Sequence, residues 1–239
     1  MPALERPILP ASRWSTLWPG RCAHCEARSS QPLCNACLQQ DLPLRPRCPR
    51  CGVGVAQDGQ ICGHCLLQPP RWVGALTLGD YRFPNDQFIL RMKFGAEPAI
   101  GRWFGDLLGA RWLDAGLPLP DRILPVPLSR ERLRERGFNP AWEMARRIAK
   151  RLDRPADPHA LQRVRQGIAQ SKLPLDARKR NIRGAYACQT RLDGKSVLLV
   201  DDVMTSGATL AEATQVLLQQ GATTVRVAVA LRTPLDPAP

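Results

Sequence analysis

Four apolar residues, Val197, Leu198, Leu199 and Val200, run without polar alternation straight into Asp201 and Asp202. An unalternated run of this length marks a strand covered on both faces, the habit of parallel sheets. The chain then turns small and hydroxyl-rich through Thr205, Ser206, Gly207, Ala208 and Thr209. Beyond it Leu210, Ala213, Val216 and Leu217 recur at helical spacing as far as Gly221, a residue suited to a left-handed helix cap. The pattern predicts a strand with two acids at its carboxyl end, a tight turn and a helix.

Earlier elements follow the same logic. Residues 72–81 read as a strand, residues 85–94 as a helix closed by Gly95, and residues 99–116 as a core helix with Ile100, Trp103, Phe104, Leu107, Leu108 and Trp112 on one periodic stripe. Residues 117–120 look like a linker, and residues 121–127 form a second buried strand. Strands alternating with helices predict an α/β fold built on a parallel sheet flanked by helices. A proline-rich join at residues 68–71 separates this part, residues 71–239, from an amino-terminal module, residues 1–70.

Ligands of open α/β sheets collect where strands end and helices begin, because free backbone N–H groups converge there and the helix dipole favours an anion. One dipole contact is worth only ~0.3–1 kcal/mol, so a phosphate needs several donors acting together. Thr205, Ser206 and Thr209 supply hydroxyls, and Gly207 lets the backbone approach closely. A ribose 5-phosphate, with a phosphate at one end and vicinal hydroxyls further along, satisfies both the turn and the acids. Two rival readings fit less well. The acidic pocket of receiver domains needs later strands for which too little chain remains. A Walker A loop needs a glycine where Gln189 stands and would follow the strand, so Gly194-Lys195-Ser196 reads as a turn.

The stretch from the apolar run through Asp-Asp to T-S-G-A-T resembles the signature of type I phosphoribosyltransferases, which bind 5-phosphoribosyl 1-diphosphate. The resemblance implies that Asp201 and Asp202 meet the ribose hydroxyls, directly or through Mg²⁺. It places Thr205, Ser206, Gly207, Ala208 and Thr209 around the 5-phosphate, and Val126, Pro127, Leu128 and Ser129, after the strand at 121–127, on the diphosphate.

Arg136 stands in a tight R-G-F-N turn before a helix and is placed to reach that diphosphate as a bidentate donor. Its surroundings are basic: residues 130–151 hold eight Arg and Lys against Glu131, Glu135 and Glu143, and helical spacing pairs Glu131 with Arg134 and Glu143 with Arg147. Residues 163–186 are basic, aperiodic and broken by Gly167 and Pro174. They read as a closing loop that brings Arg163, Arg165, Lys172 or Arg178 onto a leaving group.

Eight of the nine cysteines form four C-x-x-C pairs: Cys22 with Cys25, Cys34 with Cys37, Cys48 with Cys51 and Cys62 with Cys65. In a reducing compartment this spacing argues for metal, and eight thiolates make two tetrahedral Zn²⁺ sites. Residues 22–65 hold few large apolar side chains, whereas structural zinc contributes on the order of 10–16 kcal/mol per site in finger peptides. Sequential pairing, a double zinc ribbon, needs only two short hairpins; interleaving would make a cross-brace. His24 and His64 sit inside pairs and are read as spares, and Cys188 as an apolar filler on a strand.

The four cysteine pairs, the R-G-F-N turn, a Q-x-x-L then R-x-x-N loop (Gln170, Leu173, Arg178, Asn181) and the final signature resemble, together, the ComF family. Its members are phosphoribosyltransferase-like proteins with an amino-terminal zinc module, associated with natural competence. The resemblance implies a role in handling incoming single-stranded DNA alongside the DNA-uptake machinery.

Charge widens the picture. Thirty-four Lys and Arg face 21 Asp and Glu, a formal net charge of +13, which attracts phosphate-rich partners, diphosphates and nucleic acid alike. A non-catalytic protein that senses the sugar diphosphate or grips single strands is therefore a second reading, with Trp14, Trp18, Trp72 or Trp142 as stacking platforms. The first twenty residues carry Glu5, Arg6 and four prolines and lack the apolar core of a signal peptide. With no run long enough to insert into a membrane, a cytoplasmic location is expected.

Overall fold

The computed structural model describes residues 20–164 and 184–235. Four parallel strands form the central sheet: β1 (Gly74–Asp80), β2 (Arg122–Pro125), β5 (Ser196–Met204) and β6 (Thr224–Arg232), in the order β1-β6-β5-β2. A separate antiparallel pair joins β3 (Leu161–Arg163) to β4 (Tyr186–Cys188), with Arg163 opposite Tyr186. The helices among the described residues are α1 (Asn35–Asp41), α2 (Gly63–Leu67), α3 (Asn85–Phe94), α4 (Pro98–Asp114), α5 (Arg130–Arg136), α6 (Pro140–Leu152) and α7 (Ala208–Gln219). None of them is long and apolar enough to cross a membrane.

The unalternated run in β5 is explained by its two faces. Leu198 and Val200 pack with α3, α4 and α6 in one core, whereas Val197 and Leu199 pack with Leu210, Ala213 and Leu217 of α7 in another. The strand does not stop at the acids, as the apolar run suggested, but continues to Met204. Its ladder with β6 holds on to Met204 opposite Arg232, while its ladder with β2 ends at Val200 opposite Pro125. Asp201 and Asp202 therefore stay in the sheet on one side and face an open gap on the other, where β2 has given way to a loop.

α4 and α6 lie unusually close because Gly101, Gly105 and Gly109 form a stripe along α4. A Cβ at Gly105 would stand 2.5 Å from the Met144 carbonyl oxygen of α6. Two ion pairs lock the contact, Arg147 with Asp106 at 2.7 Å and Arg102 with Glu143 at 3.1 Å. The expected pairing of Glu143 with Arg147 is thus replaced: Glu143 also takes Arg146, and Arg147 turns to Asp106, because the facing helix offers a carboxylate that is almost fully buried. Seated this way, α6 presents Asn139 at its start. The Asn139 amide donates to the Val126 carbonyl at 3.0 Å and its oxygen caps the Ala141 N–H at 3.0 Å, which fixes the loop after β2.

The amino-terminal module shares the main core. Leu33, Leu38 and Leu42 pack with Leu78, Phe88, Trp103 and Phe104, under the sheet. Arg111 of α4 ties the two parts by donating to the Leu78 carbonyl at 2.7 Å and to the Leu42 carbonyl. Around the second set of cysteines, Val53, Val55 and Ile61 form a small cluster of their own.

Candidate functional site

At the carboxyl ends of β5 and β2 lies a cavity of about 520 Å³. Asp201, Asp202 and the whole turn from Thr205 to Thr209 line it. So do Val126, Pro127 and Leu128 of the loop after β2, and Arg136 at the end of α5. The residues that the sequence singled out in three separate segments thus meet around one space. Ser129 is not among the lining residues; its hydroxyl accepts the Arg132 N–H at 3.3 Å and caps α5. Arg165, Lys172 and Arg178, expected on a closing loop, lie outside the described residues, as do Gln170, Leu173 and Asn181.

Local geometry equips the turn for an anion. Gly207 has φ +77°, a left-handed conformation that costs a residue with a Cβ, and it is the N-cap of α7. No side chain of the N-cap closes the helix start; only the Ser206 hydroxyl reaches the Ala208 N–H, at a long 3.4 Å. The first N–H groups of α7 are therefore directed at whatever occupies the turn.

The acids are poised unequally. Asp202 is buried and forms an ion pair with Lys93 of α3 at 2.8 Å. Asp201 accepts the Asp202 N–H at 2.9 Å, yet burial, reinforced by the neighbouring carboxylate, pushes its carboxyl up to about 7; the N–H bond and Lys93 only partly oppose this. Arg136 is held below its ordinary value by burial, with Asp202 pulling the other way. Arg132 and Arg163 add cations, and the Arg163 guanidinium lies 5.9 Å from the centre of the Tyr186 ring. Burial lifts the Tyr186 hydroxyl to about 12, so it stays a neutral hydrogen-bonding group there.

Sequence reasoning missed Lys93, Tyr81, Phe94 and Arg132 as members of the cavity wall. Lys93 left one signal: it is one of five lysines in an arginine-dominated chain and lies in the last turn of the helix that follows the first strand of the sheet.

The cysteines gather into two sets, Cys22, Cys25, Cys34 and Cys37, then Cys48, Cys51, Cys62 and Cys65, and the potential ligand atoms of each lie within 4.8 Å of one another. The pairing is sequential, as two short hairpins favour. Sulfur separations of 3.7 Å between Cys25 and Cys34 and 3.6 Å between Cys51 and Cys62 match the roughly 3.8 Å edge of a tetrahedron with ~2.3 Å metal–sulfur bonds. The residues fit structural Zn²⁺. Burial opposes thiolate formation at Cys22, but N–H groups of Cys25, Cys34 and His24 outweigh it and bring the thiol down to about 6. At Cys48 burial likewise loses to N–H groups of Cys62, Cys51 and Arg50, and the value falls to about 7. His24 belongs to neither set, since its ring bonds Asp41 at 2.7 Å, and His64 is likewise outside them. Cys188 is buried on β4 among apolar side chains, as a filler would be.

Residues 136–238 match the model of the phosphoribosyl transferase domain, and residues 14–66 that of the double zinc ribbon domain. The chain is 35% identical to DNA utilization protein YhgH of Shigella flexneri over 222 residues, covering 90% of this chain and 98% of that one. It is 32% identical to competence protein F of Haemophilus influenzae over 217 residues, 87% and 94% of the two chains. A solved adenine phosphoribosyl transferase from Trypanosoma brucei is 20% identical, covers 59% of this chain and 56% of its own, and superposes with a TM-score of 0.38. Together the matches give a phosphoribosyl transferase domain joined to a double zinc ribbon, the latter with both four-cysteine sets assembled. Within that class the chain belongs to the ComF family, the family of competence protein F and the DNA utilization proteins.

Proposed function

We propose that the protein binds 5-phosphoribosyl 1-diphosphate with Mg²⁺ in the cavity and acts in the uptake or use of external DNA. One observation carries the reading of the site: the acid pair and the hydroxyl-rich turn line the same cavity as Arg136 and the loop from Val126. In this reading the turn and the α7 N–H groups hold the 5-phosphate, Asp201 and Asp202 hold the ribose hydroxyls, and Arg132 and Arg136 receive the diphosphate. Two adjacent carboxylates, one of them held near 7, form a hard-oxygen donor set that a divalent cation relieves, and Mg²⁺ bound there would neutralise charge on the diphosphate. In a transfer, the bond from the anomeric carbon to the diphosphate oxygen breaks with its electron pair on oxygen, and an acceptor forms the new bond to that carbon. The acids face the positive charge that develops on the sugar, and the arginines the negative charge that leaves. The names of the relatives support the DNA-linked role.

Calorimetry with Mg²⁺ and 5-phosphoribosyl 1-diphosphate tests the site. Saturable binding that Asp201→Asn abolishes is expected, and unchanged affinity in that variant would sink the reading.

A second reading, a non-catalytic protein that senses the sugar diphosphate or grips single-stranded nucleic acid, is favoured by α5. This seven-residue helix has no buried residue, carries Arg130, Arg132, Arg134 and Arg136, and borders the cavity. The tryptophan part of that reading needs correction. Trp72 is buried with its indole N–H bonded to a backbone carbonyl, so it offers no free stacking face, whereas Trp142 is half-buried against the core. Trp14 and Trp18 lie outside the described residues. Single-strand affinity that falls steeply with salt, without diphosphate release in the presence of nucleobases, would favour this reading.

A further inference from the structure

The second cysteine set and the phosphate turn are joined through the sheet. Four consecutive carbonyls of the knuckle that carries Cys48 and Cys51 are each held by a donor. The Pro49 oxygen accepts the Ala75 N–H of β1 at 2.8 Å, and the Arg50 oxygen accepts the Trp72 indole N–H at 2.6 Å. The Cys51 oxygen accepts Nε of Arg232 at 3.1 Å, and the Gly52 oxygen accepts Arg47 at 2.9 Å, which in turn pairs with Asp80. Those four bonds tie the shape of the knuckle to the position of the groups that donate to it.

Two of these donors also touch the turn. Arg232, the last residue of β6, is 3% exposed. The far side of its guanidinium donates to the carbonyls of Met204 at 3.0 Å, Thr233 at 2.7 Å and Thr205. Because peptides are planar and trans, drawing the Thr205 carbonyl toward Arg232 points the Ser206 N–H the opposite way, away from that side chain. Arg232 is not among the cavity-lining residues, whereas Thr205 and Ser206 are. The Trp72 ring closes the other flank, lying 2.9 Å from where a Cβ at Gly207 would stand.

From this we infer that the Cys48/Cys51/Cys62/Cys65 site positions the phosphate turn, with Arg232 and Trp72 as positioning residues, so that metal at that site and a sugar phosphate in the turn bind cooperatively. The inference rests on the reading of Thr205 to Thr209 as a phosphate site. Metal fixes the knuckle, the knuckle fixes the two side chains, and these hold the turn in its anion-accepting shape. Cooperativity of this kind is reciprocal: an anion in the turn must also tighten the metal site. The Cys22/Cys25/Cys34/Cys37 site, whose neighbouring leucines enter the main core instead, has no such link among the described contacts.

The experiment uses the full chain loaded with cadmium-113, whose resonance reports each four-sulfur site separately, and ribose 5-phosphate as the probe. Ribose 5-phosphate should bind the wild-type chain and shift one of two cadmium resonances, the same one that Trp72→Phe shifts. Trp72→Phe loses the N–H together with the outer part of the ring that packs against Gly207, and should weaken the probe's affinity at least five- to tenfold, about the worth of the hydrogen bond alone, with little change in the other resonance. Arg232→Lys should weaken it further; should that variant fail to fold, Trp72→Phe alone decides. Binding that moves neither resonance or both alike, or full affinity in Trp72→Phe, overturns the coupling while leaving the phosphate site intact. No binding to the wild-type chain overturns the phosphate site itself, and the coupling with it.

Discussion

Lys93 Nζ lies 2.8 Å from a carboxylate oxygen of Asp202, across 109 residues of chain. The ammonium sits at the end of α3 and gives the acid pair a counter-charge within the sheet. Asp201, one residue further from it, carries the strain of two carboxylates crowded at one strand end. In Lys93→Met that counter-charge is gone, and the Asp201 carboxyl should titrate above its wild-type value of about 7, which carboxyl carbon-13 shifts would follow. An Asp201 titration that stays where it is in wild type would mean that the ammonium does not reach it.

Asp201 also makes stability depend on pH. Its folded value of about 7 lies above the ~3.9 of an unfolded aspartate, so the folded state binds the proton more tightly. Stability from this group is whole below about pH 4 and is lost as pH rises through 7. Asp201→Asn removes the loss, and should stabilise the ligand-free protein by on the order of 2 kcal/mol at pH 8 and by little at pH 4. Urea unfolding at both pH values measures it. The same variant that loses the sugar diphosphate should thus be the more stable one, a trade that simple damage to the fold would not produce.

The glycine stripe of α4 predicts two different outcomes for the same substitution. Gly105→Ala drives a Cβ into backbone atoms of Met144, at 2.5 and 2.8 Å, which cannot move without shifting α6. A loss of about 1–3 kcal/mol is expected in spite of the better helix propensity of alanine. At Gly109 the Cβ meets the Arg151 side chain at 3.0 to 3.3 Å: its Cγ and Cδ can move aside, and its Cβ, fixed on α6, has to give only a few tenths of an ångström. There the ~1 kcal/mol propensity gain should roughly offset the contact. Equal losses at both positions in denaturant unfolding would contradict this account.

Metal analysis should find two zinc ions per chain. Stripping them removes on the order of 10–16 kcal/mol per site, more than most domains have to lose. Since Leu33, Leu38 and Leu42 belong to the core under the sheet, chelation should lower the melting of the whole protein and change the emission of Trp103 and Trp112. An unaltered melting curve in the metal-free protein would show the two parts to be independent.

What could be read from the sequence was what is contiguous. The strand, turn and helix around Asp201 span fewer than thirty residues, and their chemistry is written in neighbouring positions. The same holds for the C-x-x-C pairs, where spacing alone brings thiolates together. Partner choice across the fold was hidden. Glu143 abandons Arg147 because α4 brings Asp106 and Arg102 to the interface, and helical spacing carries no word of a facing helix. Nor does the apolar run announce that β6 extends the strand past the acids to Met204. Lys93 reaches the site, and Arg232 the backbone behind its turn, from other elements of the fold, and Trp72, which looks like a platform for bases, is spent on the knuckle.

The leucines that the first ribbon sets beneath the sheet make it a flank of the larger domain. Cutting the chain near residue 70 would bare Leu78 and Phe88 to water, so the metal-bearing part is no detachable accessory. Descendants of this fold can shed or exchange it only by rebuilding that flank, which ties the inheritance of one half to that of the other.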